Sequence, residues 1–188
     1  MVNGRIKMIK APFKKGFACW LSAQEGETLV QAAPHEGAKI AIRLGLNGLR
    51  VHEVAKIQNE DKIQDVTVGL MGKIIGKGNK YRTFPLDNRL EYADFSKTNV
   101  TTRTITEWMT FSRENAYRLT EDPDFRDVTM HDLRRSWAVQ CLSRGILPET
   151  VKYWGGWESS SQVFEQHYLG TGIQSPEFQK AEREKLPW

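Results

Sequence analysis

Cysteine is scarce in this chain of 188 residues, which contains Cys19 and Cys141 and no CxxC pair. Two cysteines cannot build a disulfide framework, and without a CxxC pair there is no sign of a structural zinc site. The sequence also lacks an apolar run of roughly 18 residues, the length that a membrane span requires, and the apolar stretch and cleavage site of a secretory signal. We therefore expect a cytoplasmic protein with no membrane partner.

Acidic residues are absent from two basic segments of the chain. These segments are residues 1–16, with Arg5, Lys7, Lys10, Lys14 and Lys15, and residues 73–82, with Lys73, Lys77, Lys80 and Arg82. The net charge of the whole chain is only +4, but local clusters attract phosphate better than a mean charge does. The pattern favours a nucleic-acid partner, although residues 1–16 fit a solvated or disordered arm equally well.

Apolar spacing and turn residues predict a mostly α domain with one small antiparallel sheet. Ser22 and Glu25 have the form of a capping box at the start of the first helix, and the segment 60–86 is typical of strands joined at a Gly-rich turn, residues 76–79. We expect residues 1–20 to be a basic lead-in that packs only in part. Helices are predicted over 23–33, 35–46, 50–57, 100–119, 131–144, 148–154, from the serines at 159–161 to 164–168, and over 175–185.

His131 and Arg134 are the first candidates for chemistry. They are three residues apart at a predicted helix start, so their side chains share a face next to the positive end of the helix dipole. Such a face can hold a phosphate, although a surface His and Arg on a helix are common. The His131-Asp132 dipeptide also fits a metal phosphohydrolase, but that site needs more ligands, and His35, His52 and His167 form no metal-ligand pair. We expect no metal and no cofactor.

Five segments, in order along residues 48–170, together resemble the motifs of tyrosine recombinases of the phage-integrase type. Residues 131–134 (HDLR) resemble the HxLR signature, and residues 48–53 (GLRVHE) resemble the GLRxxE segment. Residues 75–86 (IGKGNKYRTFPL) are similar to the hairpin that carries the catalytic lysine. Residues 153–157 (YWGGW) resemble the LGH/GGW element, and His167-Tyr168 lies where this family keeps its nucleophile. Each motif is weak to moderate alone, but the ordered set is specific.

The resemblance implies an α+β fold, mainly α with a small antiparallel sheet, and an enzyme that cuts and rejoins DNA without metal. The nucleophile would be Tyr168, forming a covalent 3′-phosphotyrosyl intermediate. Two guanidiniums, of Arg50 and Arg134, suit this chemistry because they clamp the phosphate oxygens with paired donors and keep their charge. The remaining roles fall to His131 as base or phosphate donor, Lys77 as acid on the leaving 5′ oxygen, Trp157 as a group packing the site, and Glu53 as a buttress of the active site.

Several assignments have rivals. Lys80 competes with Lys77 for the lysine role, and Tyr153 competes as nucleophile, although it precedes the GGW element. Without the resemblance, Arg50 is typical of a surface arginine paired with Glu53. Trp157 and Tyr168 are 11 residues apart, about two more than is usual in the family. The residues expected to contact DNA outside the catalytic set are Lys73, Lys80, Arg82 and Arg135.

The resemblance also implies domain organisation and partners. Residues 1–20 would be a basic lead-in or linker remnant and residues 21–188 the catalytic domain, with the family's N-terminal core-binding domain absent from this chain. We expect double-stranded DNA as partner, weak and salt-dependent binding by this chain alone, and a homo-tetramer on DNA, with the isolated domain monomeric. Integration of viral or mobile DNA, excision and dimer resolution all stay open. Alternative functions are a type IB topoisomerase-like or telomere-resolving strand transferase, and a non-catalytic DNA-binding module derived from a recombinase.

Overall fold

The computed structural model describes residues 8–13, 16–76 and 81–165. Within these ranges helices dominate, and the strands form two small antiparallel sheets. The strands are β1 (Ile9–Phe13), β2 (Gly16–Trp20), β3 (Lys62–Asp65), β4 (Gly69–Ile75) and β5 (Tyr81–Pro85). The helices are α1 (Ala23–Gln31), α2 (Glu36–Leu46), α3 (Val51–Val54), α4 (Thr102–Thr120), α5 (Met130–Ser143), α6 (Pro148–Gly155) and α7 (Gln162–Phe164). The predicted fold class is confirmed, while the predicted helix over 175–185 lies outside the described residues.

Side-chain caps explain where the helices begin. The predicted capping box is present at α1, where Ser22 Oγ accepts from the Glu25 backbone N–H at 3.3 Å and Glu25 Oε2 accepts from the Ser22 N–H at 2.8 Å. Thr101 caps α4, and Ser161 caps α7. These side chains satisfy amide groups that have no partner inside the helix.

Among the described residues, every helix is too short or too polar to span a lipid bilayer.

The first two strands form a hairpin that we did not predict from the sequence. It packs on α5 through Cys19, whose backbone N–H donates to Asp132 Oδ1 at 3.1 Å, and through Leu21, whose N–H donates to Ser136 Oγ at 2.8 Å. Lys10 is held by two carboxylates, Asp124 and Asp127. Its charge is therefore neutralised within the fold, and residues 8–13 and 16–20 belong to the packed domain.

The second sheet has the order β3-β4-β5, with β4 in the centre. Side chains alternate along β5, so that Arg82 and Phe84 are buried while Tyr81 is exposed. Gly72 on β4 pairs with Phe84, and a Cβ at Gly72 would lie 2.5 Å from the Phe84 ring. A side chain at this position would displace the ring, so glycine lets the sheet close over Phe84.

Two apolar clusters make up the core. The larger one lies between the helices and the second sheet, with α2 at its centre, where Ile40 and Leu44 are almost fully buried. The smaller one joins α5, α6 and α7 around Trp137, Val151 and Phe164. Trp157 packs against this smaller cluster. The smaller cluster thus packs α7, the last described helix, against α5 and α6.

Candidate active site

Three predicted site residues lie at the starts of two helices. Arg50 precedes α3, and Gly48, two residues earlier, ends the turn after α2. His131 and Arg134 lie in the first turn and a half of α5, which is capped by Thr129. Arg50, His131 and Arg134 line one cavity of about 200 Å³. The volume of liquid water is about 30 Å³ per molecule, so the cavity has room for a phosphate group.

Glu53 is the centre of this site. It is 1% exposed, and its Oε1 accepts from Arg50 Nη1 at 3.0 Å and from Arg82 Nη1 at 2.8 Å. Its Oε2 accepts from the Arg50 backbone N–H at 2.7 Å and lies 4.0 Å from Arg134 Nη1. Burial by itself would raise the pKa of Glu53, but the hydrogen bonds and charges of these arginines hold that pKa below its usual range. Three guanidiniums therefore surround one carboxylate, and the cluster keeps an excess of positive charge.

Arg134 is held by backbone carbonyls and an aromatic face. It is 1% exposed, and its Nη1 and Nη2 donate to Gly48 O at 2.5 Å and to Gly155 O at 2.7 Å. Its guanidinium carbon lies 3.8 Å from the centre of the Trp157 ring. The indole of Trp157 in turn stacks on Trp137 at 6.3 Å between ring centres. Trp157 thus packs against Arg134 from one side, and its role in closing the site stays a prediction.

The Gly155-Gly156-Trp157 motif follows from this packing. A Cβ at Gly155 would lie 1.9 Å from the Trp157 ring, and Gly156 has φ +67° at the end of α6, a conformation that favours glycine. The two carbonyls of this pair accept from the two site arginines, Gly155 O from Arg134 and Gly156 O from Arg50 at 3.0 Å. The motif therefore supplies the acceptors that orient both guanidiniums.

His131 is exposed, and it lies beside several guanidiniums. Partial loss of solvent around the ring, together with the positive charges of Arg135, Arg134 and Arg50, lowers the pKa of His131 to about 4. Because the side chain remains open to solvent, we attribute this pKa shift mainly to the positive charges of the neighbouring arginines. The imidazole is neutral at pH 7, so it can accept a proton or donate an N–H to a phosphate oxygen.

Two residues predicted to contact DNA are buried instead. Arg82 is 5% exposed and is bound to Glu53, and Arg135 is 6% exposed and pairs with Asp132 over the Phe13 ring. Both guanidiniums are thus engaged inside the protein, and a contact of either with DNA stays a prediction. Lys73 is exposed on β4, with its Nζ 5.0 Å from the centre of the Tyr81 ring, and its DNA contact stays a prediction.

Several predicted residues lie outside the described residues. They are Lys77, Lys80, His167, Tyr168 and the tail 171–188.

The rival nucleophile Tyr153 lies on α6, exposed, with its hydroxyl 3.4 Å from Thr83 Oγ1. Within residues 8–13, 16–76 and 81–165, no three His, Cys, Asp or Glu side chains come together in a way that could hold a metal ion.

Sequence reasoning missed two kinds of contributor to the site. The first is Arg82 as a partner of Glu53, although the alternation of β5 places residue 82 on the same face as the buried Phe84. The second is the backbone of Gly48, Gly155 and Gly156, whose carbonyls orient the arginines. The glycine spacing was visible in the motifs, but an acceptor role needs the tertiary contact.

Comparisons with known proteins bear on the fold. No protein-family model matches this sequence, and no curated protein matches it either. Solved structures do match: a XerA recombinase has a TM-score of 0.64 at 19% identity, with 95% of this chain and 68% of that chain covered. The integrase of mycobacterium phage Brujita has a TM-score of 0.55 at 21% identity, with 94% and 62% covered. A lambda integrase dimer bound to a COC′ core site has a TM-score of 0.54 at 14% identity, with 88% and 64% covered.

These likenesses define the fold of the domain. The chain spans 62–68% of the length of these three proteins, and nearly all of it takes part in the match. The structural neighbours are tyrosine recombinases and integrases. This chain therefore has the fold of a tyrosine recombinase catalytic domain.

Proposed function

We propose that this chain is the catalytic domain of a site-specific DNA recombinase that cleaves and rejoins double-stranded DNA in the cytoplasm through Tyr168. The observation that carries the proposal is the convergence of Arg50 and Arg134 with His131 on one cavity. The guanidiniums around the buried carboxylate of Glu53 carry more positive charge than it neutralises, so they can bind an anion in the cavity. A DNA phosphodiester is the anion that this fold and these residues suit best.

The chemistry assigned to these residues is transesterification. The Tyr168 oxygen forms a bond to phosphorus, and the bond from phosphorus to the 5′ oxygen breaks. Charge that builds on the non-bridging oxygens is stabilised by the guanidiniums of Arg50 and Arg134, in the position that Mg²⁺ has in many phosphoryl-transfer sites. The energy of the broken bond is kept in the 3′-phosphotyrosine, so rejoining needs no ATP.

Two proton transfers complete the step. A phenol with a pKa of about 10 is a weak nucleophile at neutral pH, and neutral His131 is the group suited to accept its proton. Lys77 is the proposed acid that protonates the leaving 5′ oxygen. Trp157 moves no proton, because an indole N–H is only a donor; its contribution is to hold Arg134.

The decisive experiment captures the covalent intermediate. The chain is incubated with a pool of nicked duplexes of random sequence, in which the fragment released by cleavage diffuses away. We expect a protein–DNA adduct through a 3′-phosphotyrosine that forms in EDTA and is lost in Tyr168→Phe. Tyr153→Phe is the matched control, since Tyr153 is exposed and outside the site, and it should form the adduct as the wild type does. Dependence on Mg²⁺, or loss of the adduct only in Tyr153→Phe, would refute the proposal.

The same adduct allows the alternatives to be separated. A non-catalytic DNA-binding module would bind the duplexes and form no adduct. A type IB topoisomerase-like enzyme would relax supercoiled plasmid without exchanging strands between two duplexes, whereas a recombinase exchanges strands. DNA is the bound partner in structures of XerH, of lambda integrase and of a transposon integrase. By analogy, we propose that a tetramer of this protein assembles on DNA, which light scattering with and without duplex can test.

A further inference from the structure

Arg82 is a buried cation of the second sheet. It is 5% exposed on β5, and three of its donors are used in the fold. Nη1 and Nη2 donate to the two carboxylate oxygens of Glu53 at 2.8 and 2.9 Å, and Nε donates to Trp154 O at 2.8 Å. Its guanidinium carbon also lies 5.5 Å from the centre of the Phe84 ring. Three of the five N–H donors of this side chain are therefore directed into the protein.

Glu53, the carboxylate that Arg82 binds, also contacts the two site arginines. Both oxygens of Glu53 that Arg82 binds also accept from Arg50, one from its guanidinium and one from its backbone N–H. Arg134 Nη1 lies 4.0 Å from Glu53 Oε2. A paired guanidinium fixes the plane of a carboxylate. Arg82 therefore determines where Glu53 presents its oxygens to Arg50 and Arg134.

Charge gives Arg82 a second effect on the same pair. A buried carboxylate must be neutralised by some partner. Glu53 carries one negative charge and pairs with both Arg82 and Arg50, so together with Arg134 the three guanidiniums leave an excess of positive charge for an anion in the cavity. Without Arg82, Arg50 would be the remaining direct ion-pair partner of Glu53, and less positive charge would be left at the phosphate position.

The end of α6 is the third contact. Arg82 binds Trp154 O, and a Cβ at Gly156 would lie 3.1 Å from Arg82 Cδ. The carbonyls of Gly155 and Gly156 in this same turn orient Arg134 and Arg50. Arg82 thus supports both the carboxylate and the turn that hold the two guanidiniums.

We infer that Arg82 is a positioning residue for the reaction: it acts on the phosphate through Glu53, Arg50 and Arg134 and does not itself touch DNA. This inference rests on the proposed function. It differs from a DNA-contact role in a measurable way. A lysine or arginine that neutralises a phosphate releases counterions, so its loss lowers the salt dependence of DNA affinity by about one unit of slope.

The test compares Arg82→Lys and Arg82→Met with a matched pair elsewhere in the chain. Arg43 binds Glu27 through two bonds of 3.0 and 2.8 Å between α2 and α1, away from the cavity, so Arg43→Lys and Arg43→Met control for loss of an internal ion pair. We measure the rate of adduct formation at saturating DNA, the affinity at several salt concentrations, and thermal unfolding.

The expected result is a cleavage rate about 10- to 100-fold lower in Arg82→Lys, by analogy with the loss of a group behind a metal ligand, and a salt slope that stays unchanged in Arg82→Met, the variant that removes the charge. Lysine keeps the charge but cannot bind a carboxylate in a planar fork, so this variant tests geometry in a folded protein. The Arg43 variants should cleave at the wild-type rate. An Arg82→Met variant with a salt slope lower by about one overturns the inference, as does a normal rate in Arg82→Lys at saturating DNA or an equal loss of rate in Arg43→Lys.

Failure of the proposed function has a different signature. A wild-type chain that forms no adduct refutes the function, while a wild type that cleaves beside an Arg82→Lys variant that cleaves equally well refutes only the inference. The arginine Nε–H resonances in NMR spectra give a readout without DNA. Those of Arg50 and Arg134 should move in Arg82→Lys and stay in place in Arg43→Lys, and resonances that stay in place in both variants overturn the inference.

Discussion

Arg134 lies against the face of Trp157, with its guanidinium carbon 3.8 Å from the ring centre. A cation over an indole is attracted to the negative face of the ring, most strongly where water is excluded. Here the indole also packs between Trp137 and Phe164. The smaller apolar cluster therefore contacts, through Trp157, a residue that is predicted to bind the phosphate.

Truncation of Trp157 should cost both stability and activity. We expect Trp157→Ala to lower the free energy of unfolding by about 3 kcal/mol, at the low end for a large aromatic residue because the side chain is only partly buried. Trp157→Phe keeps an aromatic face on Arg134 and should lose much less. Urea denaturation gives the stabilities, and adduct formation gives the activity. Equal losses in the two variants would contradict a role for the ring face.

Gly48 combines a backbone and a packing requirement. It has φ +87°, and a Cβ there would lie 2.5 Å from the Trp137 ring, whereas Gly69 has φ +85° and no atom within 4 Å. Gly69→Ala should cost about 1 kcal/mol through backbone strain alone. Gly48→Ala should cost about 1–3 kcal/mol more, because the added methyl group overpacks the ring.

The difference between the two glycine variants, from chemical denaturation, isolates the packing contribution. Gly48→Ala should also slow cleavage, since Gly48 O accepts from Arg134. Indistinguishable unfolding free energies would show that Trp137 can move aside.

The ionisation of His131 should respond to pH and to DNA. Its pKa is lowered from 6.5 to about 4 in the folded protein, so between these values the unfolded chain binds more protons. Stability should therefore fall as the pH drops from about 6.5 towards 4, and His131→Gln should make this fall shallower. Binding of DNA phosphate near the ring should raise the pKa, which the imidazole resonances in NMR titrations report. A ring that titrates near 6.5 in the free protein would exclude this electrostatic setting.

Asp132 should be essential for docking the first hairpin. It is fully buried and accepts from the backbone N–H groups of Cys19 at 3.1 Å and Thr129 at 2.9 Å, and it pairs with Arg135. Asp132→Asn leaves the buried guanidinium of Arg135 without its countercharge, so we expect a loss of about 3–5 kcal/mol. Lys10→Ala removes a more exposed ion pair of the same hairpin and should lose less than about 1 kcal/mol. Thermal unfolding of both variants checks the contrast, and a larger loss in Lys10→Ala would reverse this assignment.

The helices and their starts could be predicted because their signals are local. The capping box of Ser22 and Glu25 and the serine cap before α7 depend on residues a few positions apart, as does the apolar spacing of α2. The hairpin β1–β2 was missed because it has no such signal, and its packing depends on Asp132 and Ser136, more than 100 residues away.

The sequence by itself determined which residue types the site contains and in what order, because a reaction on phosphate requires particular functional groups and the motifs retain them. Only the tertiary structure decided whether each arginine side chain faces the cavity or an internal carboxylate. Arg134 and Arg135 are neighbours on α5, yet one lies at the cavity and the other pairs with Asp132 beneath the hairpin. Arg82 lies in a basic segment but points to Glu53. A burial direction depends on which distant element covers a residue, and a charge count along the chain contains no such information.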